Sequence, residues 1–352
     1  MLTLNQFRNL IFNVVALLTL VSAILTGMLE YKSWTQAPDI LVQQSKFDGV
    51  NDRIVKTKGN LKDLDVIFIA PNIQDFESTK NQVLVTTGVE NQESQLQLID
   101  IKTKIIKPLK YPAKFVGQIA AGSDKFVILV EDLKNVNGQN LRTYKSKLAM
   151  ITEENQEVID LNPQFLATQV DSIFINPSGS LLIFRGVGSG QYLLDLNDIN
   201  NISLLNSSNA GINYGFVNDT EIYFSDYSIS SETRIKFFDV TKDEVSFVSL
   251  LSESLSQLAI SPDKENIYYT QNKDVKGENV KSLKNYKTSY TKFDPNYSFD
   301  NIKISPKDLF ILFEKLTTGL QYRRNKDFAI YNLKAMYLPA DTIVGVKAIW
   351  VK

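Results

Sequence analysis

Three short stretches of the sequence carry residue types and spacings that could do chemistry. Asp195-x-Asn197-Asp198-x-Asn200-Asn201 gathers hard oxygen ligands of the kind a calcium loop uses. Such a loop also needs a glycine for its sharp turn and a distal glutamate, and this stretch has neither. A polar hairpin turn is the better reading. Gly186-Val187-Gly188-Ser189-Gly190 has the glycine density of a phosphate loop. No helical pattern follows it and no Gly-Lys-Ser/Thr completes it, so it reads as a flexible turn. Tyr322-Arg323-Arg324-Asn325-Lys326 sets three cations beside an aromatic ring. A solvated hairpin tip is its default. Tyr322, Arg323, Arg324 and Lys326 stand as the candidate binding surface for an anionic glycan, a lipid or a protein partner.

Composition removes much of the remaining chemistry. The chain has no cysteine and no histidine. Thiolate metal sites, iron–sulfur clusters, disulfides, cysteine nucleophiles, histidine zinc sites and a Ser-His-Asp triad are therefore excluded. Acylation of a lipoprotein cysteine is excluded too. Carboxylate, lysine and tyrosine chemistry stays open, but no two carboxylates can be placed side by side from sequence. We assign no catalytic, cofactor-binding or metal-binding residue. The 38 basic and 39 acidic residues leave a net charge of −1, so no global field attracts nucleic acid.

The elements that must carry these residues begin with an apolar segment. Leu10 to Leu29 contains no charged residue. At ~1.5 Å per residue, twenty helical residues span about 30 Å, the thickness of a bilayer's hydrocarbon core. Arg8 lies on its N-terminal side, whereas Glu30, Lys32 and Asp39 follow it. That bias favours an N-terminus in the cytoplasm and a body outside. The apolar core is longer than that of a cleavable signal peptide, the main rival reading, and Gly27-Met28-Leu29-Glu30 is not an Ala-x-Ala site. The expected organisation is a flank at 1–9, an anchor at 10–29, a polar stalk at 30–62 and a folded body at 63–352.

Within the body, short runs of β-forming residues are punctuated by Asn, Asp, Gly, Ser and Pro. Val83-Leu84-Val85, Phe126-Val127-Ile128-Leu129-Val130 and Leu181-Leu182-Ile183-Phe184 are examples. Runs and turns recur together, as in Ile173-Phe174-Ile175-Asn176-Pro177-Ser178-Gly179, Leu258-Ala259-Ile260-Ser261-Pro262-Asp263-Lys264 and Ile302-Lys303-Ile304-Ser305-Pro306-Lys307. Turn centres fall near Pro71, Gly122, Pro177, Asn218, Pro262 and Pro306. Steps of roughly 40–55 residues match the length of a propeller blade. A second element recurs inside each unit: a strand ends on an acid and the chain turns, as at Asp100, Asp195 and Asp239. These acids read as turn formers.

The Ser-Pro-Asp turn before a strand, with the later Asp-x-x turn, resembles the repeats of TolB-like and WD40-like β-propellers. Lys264 stands where that repeat expects glycine, and no Trp-Asp dipeptide is present. The strand runs predict an all-β body, which the resemblance implies is a β-propeller; the six turn centres give about six blades (range five to seven), and the apolar run places one transmembrane helix before it. The strand-like end, Thr342 to Val351, is expected to close the ring beside the first blade. Together these readings describe a single-pass, membrane-anchored, extracytoplasmic propeller that acts as a protein-interaction or assembly module, without enzymatic activity and without a cofactor. The alternatives are a carboxylate-based glycoside hydrolase or lyase on the same scaffold, and a structural subunit of an envelope or secretion assembly.

Overall fold

The computed structural model describes residues 12, 14–25, 37–58, 61–89, 92–111, 114–136, 139–154, 158–161, 170–186, 190–206, 211–227, 233–251, 255–261, 264, 266–271, 280–284, 287–290, 297–305, 310–317, 326–332 and 343–352. Residues 14–25 are helical. Among the described residues no helix is long and apolar enough to cross a membrane.

The β-forming runs condense into seven four-stranded antiparallel sheets among the described residues. The first contains β1 (Ile40–Gln44), β2 (Asp52–Thr57) and β3 (Asp65–Ala70). The second is β4 (Ile73–Ser78), β5 (Gln82–Thr87), β6 (Gln95–Asp100) and β7 (Ile106–Leu109). The third is β8 (Lys114–Ala121), β9 (Lys125–Val136), β10 (Gln139–Thr152) and β11 (Val158–Leu161). The fourth is β12 (Val170–Ile175), β13 (Leu181–Gly186), β14 (Gly190–Asp195) and β15 (Ile202–Asn206). The fifth is β16 (Gly211–Phe216), β17 (Glu221–Tyr227), β18 (Thr233–Asp239) and β19 (Glu244–Leu251). The sixth is β20 (Leu255–Ile260), β21 (Asn266–Gln271), β22 (Val280–Lys284) and β23 (Lys287–Tyr290). The seventh is β24 (Tyr297–Ile304), β25 (Phe310–Thr317), β26 (Lys326–Asn332) and β27 (Ile343–Gly345). Finally β28 (Lys347–Trp350) returns to the first sheet and pairs with β1, setting Ile40 opposite Trp350 and Val42 opposite Ala348. The strand-like end thus closes the ring as its sequence suggests, and β1 is left with no bare edge.

Period-2 alternation explains why the sheets stack around a ring. On β5, Val83 and Val85 pack toward the first sheet while Leu84 packs toward the third. On β9, Phe126 and Ile128 face the second sheet, and Val127 and Leu129 face the fourth. On β13, Leu182 and Phe184 face one neighbour and Ile183 the other. Ile40 and Val42 of β1 meet Phe310 and Leu312 of the seventh sheet, which completes the circuit. Both faces are buried, so these strands read as near-continuous apolar runs.

The first strand is innermost in six sheets and β28 takes that place in the first sheet; β28 meets β4, β4 meets β8, β8 meets β12, β12 meets β16, and β20 meets β24. Six carry a β-bulge at corresponding places: Ile73/Asp75, Val116/Gln118, Val170/Ser172, Gly211/Asn213, Leu255/Gln257 and Asp300/Lys303. A bulge re-aims the next side chain. That side chain reaches the next sheet in four described cases. Asp75 Oδ2 accepts the Ile119 amide at 2.9 Å. Gln118 accepts from the Ile173 amide at 3.0 Å and donates to the Ile173 carbonyl at 3.3 Å. Ser172 bonds the Tyr214 hydroxyl, and Lys303 Nζ donates to the Ala348 carbonyl at 3.0 Å.

The inner turns follow one rule. A buried polar side chain before the turn accepts the amide that starts the next strand: Thr79 Oγ1 from Gln82, Asn176 Oδ1 from Leu181, Ser305 Oγ from Phe310. Gly179 takes φ +80° in this turn, and Lys264 takes φ +61° at the corresponding place. The missing glycine costs Lys264 some left-handed strain. Its ammonium gains Glu221 at 2.6 Å in return.

Two expectations change. Residues 40–57, read as stalk, form β1 and β2, and Gln43 is buried with its amide on the Ile73 carbonyl. Pro71 does not centre an inner turn. It links β3 to β4, with Asn72 at φ +52°, and the inner turn lies at Thr79. Seven sheets therefore stand among the described residues, at the upper end of the expected five to seven blades. The additional sheet is the first, whose innermost strand comes from the far end of the chain.

Candidate functional site

Where β4, β24 and β28 meet, the inner ring gathers charge. Along β4, Asp75 and Glu77 alternate with Phe76, so both carboxylates leave one face while Phe76 is fully buried on the other. β28 opens with Lys347, whose Nζ lies 2.7 Å from Asp75 Oδ1 and 2.9 Å from Glu77 Oε1. It also donates to the Phe76 carbonyl at 2.7 Å. All three N–H donors of one ammonium are thereby used. Lys303 reaches the group from β24, with its Nζ on the Ala348 carbonyl. Lys352 is exposed, with its ammonium on the Ala121 carbonyl of β8. Trp350 backs the cluster, its indole N–H donating to the Lys303 carbonyl at 3.0 Å.

Burial pushes the Glu77 carboxyl up, but the charges of Lys347, Lys303 and Lys352 outweigh it and hold the group below its ordinary value. Burial pulls Lys347 down, and Glu77 and Asp75 more than reverse that, so its ammonium is held above the lysine range. Lys303 is different. Burial depresses it to about 8, with Glu77 opposing and Lys347 adding to the fall. Desolvation of the ammonium at its tip also lowers Lys352, against the pull of Glu77. The arrangement is one tight clamp, Lys347 on two carboxylates, flanked by two ammonium groups that no carboxylate among the described residues pairs with directly.

The stretches singled out from sequence lie elsewhere. Tyr322, Arg323 and Arg324 are outside the described residues, and Lys326 is the first residue of β26, opposite Gly345. Asp195 ends β14, where its Oδ1 accepts the Asn197 amide at 2.8 Å. Asp198 accepts the Asn200 amide at 3.2 Å, so this stretch is a hairpin turn held by its own carboxylates. Among the described residues no group of three or more acids is placed to hold a metal. Gly186 pairs with Gly190 across the β13–β14 hairpin, and 187–189 lie outside the described residues. Asp100 and Asp239 accept amides two residues on, which is the turn-forming role expected of them. The inner cluster escaped the sequence reading because Lys347 and Asp75 are 272 residues apart. The available signal was faint: Asp, Gln and Ser interrupting the apolar opening strands.

No family model matches the chain, and no curated protein matches its sequence. Solved structures do resemble it. An oligogalacturonate lyase in complex with manganese aligns with TM-score 0.59 and 14% identity, covering 79% of this chain and 82% of that one. The Cps50 (Swd1) β-propeller domain of Myceliophteria thermophila aligns with TM-score 0.50 and 9% identity over 79% of this chain and 88% of that one. TolB from Acinetobacter baumannii aligns at 11% identity over 71% of this chain and 61% of that one; at TM-score 0.44 it carries no argument. At these identities the likeness shows the fold alone, and the chain is a β-propeller.

Proposed function

We propose that the chain is a membrane-tethered propeller of seven blades whose body, on the outer side of the membrane, serves as a binding or assembly module. The observation that carries the tether is the helix at 14–25. Its apolar side chains are exposed on every side, Leu18 at 63% and Leu17 at 60%, with Phe12 beside it at 73%. A helix apolar all round is stable where its surroundings are apolar. The helix lies within an uncharged stretch of sequence, Leu10 to Leu29, whose twenty residues match the number a spanning helix needs.

Binding is favoured over carboxylate catalysis by the state of the clamp. A glycosidase or lyase acid is a carboxyl raised toward neutrality. Glu77 is held the other way, and both carboxylates are engaged by Lys347. Propeller rings present several loops on one face, which suits recognition of a partner.

Membranes holding the full chain test this reading. The protein is expected to resist alkaline carbonate extraction, to expose its body to protease only from the outer side, and to purify in mild detergent with a stoichiometric partner. Release by carbonate, or a chain that purifies alone and turns over oligosaccharide substrates, would overturn it.

A further inference from the structure

Forming β1 and β2 from residues 40–57 leaves little stalk. The body begins at Ala37, which is buried with Ile40 and Trp350. Seven residues, 30–36, separate it from the uncharged run that ends at Leu29. They span at most about 25 Å. So short a tether holds one end of the ring close to the bilayer, and strand register shows which end. Ile40 stands opposite Thr57, and Lys56 opposite Asp65, so the chain's entry and the start of β3 share an end. Lys56 Nζ lies 3.6 Å from Asp39, just outside β1. Asp65 reaches on to the second sheet, where it pairs with Lys104 of the β6–β7 turn. The inner turn at Thr79 lies at this end too, because the Ile101 amide donates to the Asn81 carbonyl at 2.8 Å.

Beside the entry, this end exposes apolar side chains among cations. Leu64, Ile105 and Ile106 are exposed, Ile105 to 67%. Ile105 follows Lys104 and Leu64 precedes Asp65, so the ion pair draws the two segments together. On these turns and the start of β7, six lysines (Lys58, Lys62, Lys80, Lys102, Lys104 and Lys107) stand against three acids, Asp63, Asp65 and Asp100. Two of the three acids are engaged: Asp65 by Lys104, and Asp100 by the Lys102 and Thr103 amides. Residues 101–123 contain five lysines and no acid. Acids return only on the turns of the third to fifth sheets, as at Glu153, Asp198 and Asp243.

Isoleucines ringed by lysines suit the boundary of a bilayer. The apolar tips enter the acyl layer, and the ammonium groups, on long stems, stay at the headgroups. We propose that this end of the ring docks on the membrane that holds the helix, with Ile105 and Ile106 at the acyl boundary and the surrounding lysines on anionic lipid. The inference rests on the tethered reading above. Lipid is the occupant because a tether of this length keeps the bilayer at high effective concentration, and because each lysine beside an anionic surface adds attraction. Docking leaves the opposite end, with the β1–β2 and β9–β10 hairpins, facing away from the membrane for a partner.

Because the chain has no cysteine, one introduced cysteine carries one label. Ile105→Cys and Val50→Cys, each labelled with a nitrobenzoxadiazole dye, are reconstituted as full chains into phosphatidylcholine vesicles with or without phosphatidylglycerol. Val50 is 68% exposed between β1 and β2, at the opposite end of the ring. With phosphatidylglycerol present, the Ile105 label is expected to shift to the blue and to be quenched by doxyl-labelled lipid, and the Val50 label to do neither. High salt is expected to weaken the effect. Lys80→Gln combined with Lys102→Gln is expected to lower the docked-to-free ratio about thirtyfold. Flotation after a carbonate wash reads the tether separately. Chains lost from the vesicles would overturn the tether, and this inference with it. Chains that float with an Ile105 label as wet and as unquenched as the Val50 label, or with docking indifferent to both lysines, would overturn the docking surface and leave the tether standing.

Discussion

Replacing Lys347 with methionine tests whether the clamp is a principal fastening of the ring. The change keeps the aliphatic stem and removes the ammonium that holds Asp75 at 2.7 Å and Glu77 at 2.9 Å. Removing one partner of a buried pair typically costs about 3–5 kcal/mol, because the other charge stays buried without compensation. Here the side chains retain 25%, 16% and 20% of their exposure, so water recovers part of the loss. A cost of about 2–4 kcal/mol at pH 7 is expected. The sign of its pH dependence is fixed by the shifts. Glu77 is lowered in the fold, so its contribution is present above the ordinary carboxylate range and is lost as pH falls through the folded value. Lys347 is raised, so its contribution is present below the ordinary lysine value and is lost as pH rises through the folded one. The gap between wild type and variant is therefore widest between about pH 5 and pH 10 and narrows at both ends. Urea unfolding of the full chain in detergent, followed by far-ultraviolet circular dichroism at pH 3 and pH 7, measures it. In a Glu77→Gln background the Lys347→Met cost is expected to be smaller. A gap below about 1 kcal/mol at pH 7, or one equal at the two pH values, would refute the reasoning.

Other perturbations address the rest of the fold. In Gly122→Ala the new Cβ would lie 2.5 Å from the Gly179 Cα, so backbone must move; a loss of about 1–3 kcal/mol in the same unfolding assay is expected. Asn176→Ala removes a fully buried amide that serves Leu181 N–H, the Asp219 carbonyl and two serine hydroxyls. It is expected to cost roughly 2–5 kcal/mol, against about 1–2 for Ser305→Ala, which loses the Phe310 amide bond. Leu84→Ala empties a fully buried position between the second and third sheets and is expected to cost about 2–5 kcal/mol. Leu18→Arg places a charge in the exposed apolar helix, at about 2.5–3.5 kcal/mol if that helix sits mid-bilayer. The fraction of chain retained on carbonate-washed membranes is then expected to drop.

The repeats at Pro177, Pro262 and Pro306 were legible because strand, turn and strand are contiguous there, and local chemistry decides them. The turn at Thr79 was not legible. It makes the same side-chain-to-amide bond without a proline, whereas Pro71, seven residues earlier, supplied a stronger local signal at a connection between sheets. The common element is a buried oxygen before the strand, and proline only accompanies it. The first sheet was hidden for a related reason. Gln43-Gln44-Ser45-Lys46 is polar in composition, yet Gln43 and Ser45 are buried, and Gln43 lies against β28 and the second sheet. The charged cluster was beyond reach from sequence. Asp75, Lys303 and Lys347 are ordinary surface residue types, and only ring closure brings them together.

The pairing of β1 with β28 also sets a timetable. A growing chain exposes β1 early, with one edge hydrogen-bonded to β2 and the other bare, until β28, far along the sequence, has been made. During that interval the edge is a template for any extended strand nearby. Six sheets can form from neighbouring segments as they emerge, whereas the first must wait. Completion of the ring is thus a late event at large sequence separation, the class of contact that slows folding most. A nascent chain of this design stands to gain from a chaperone that shields one particular edge, and a ribosome that stalls before β28 releases an open, adhesive ring.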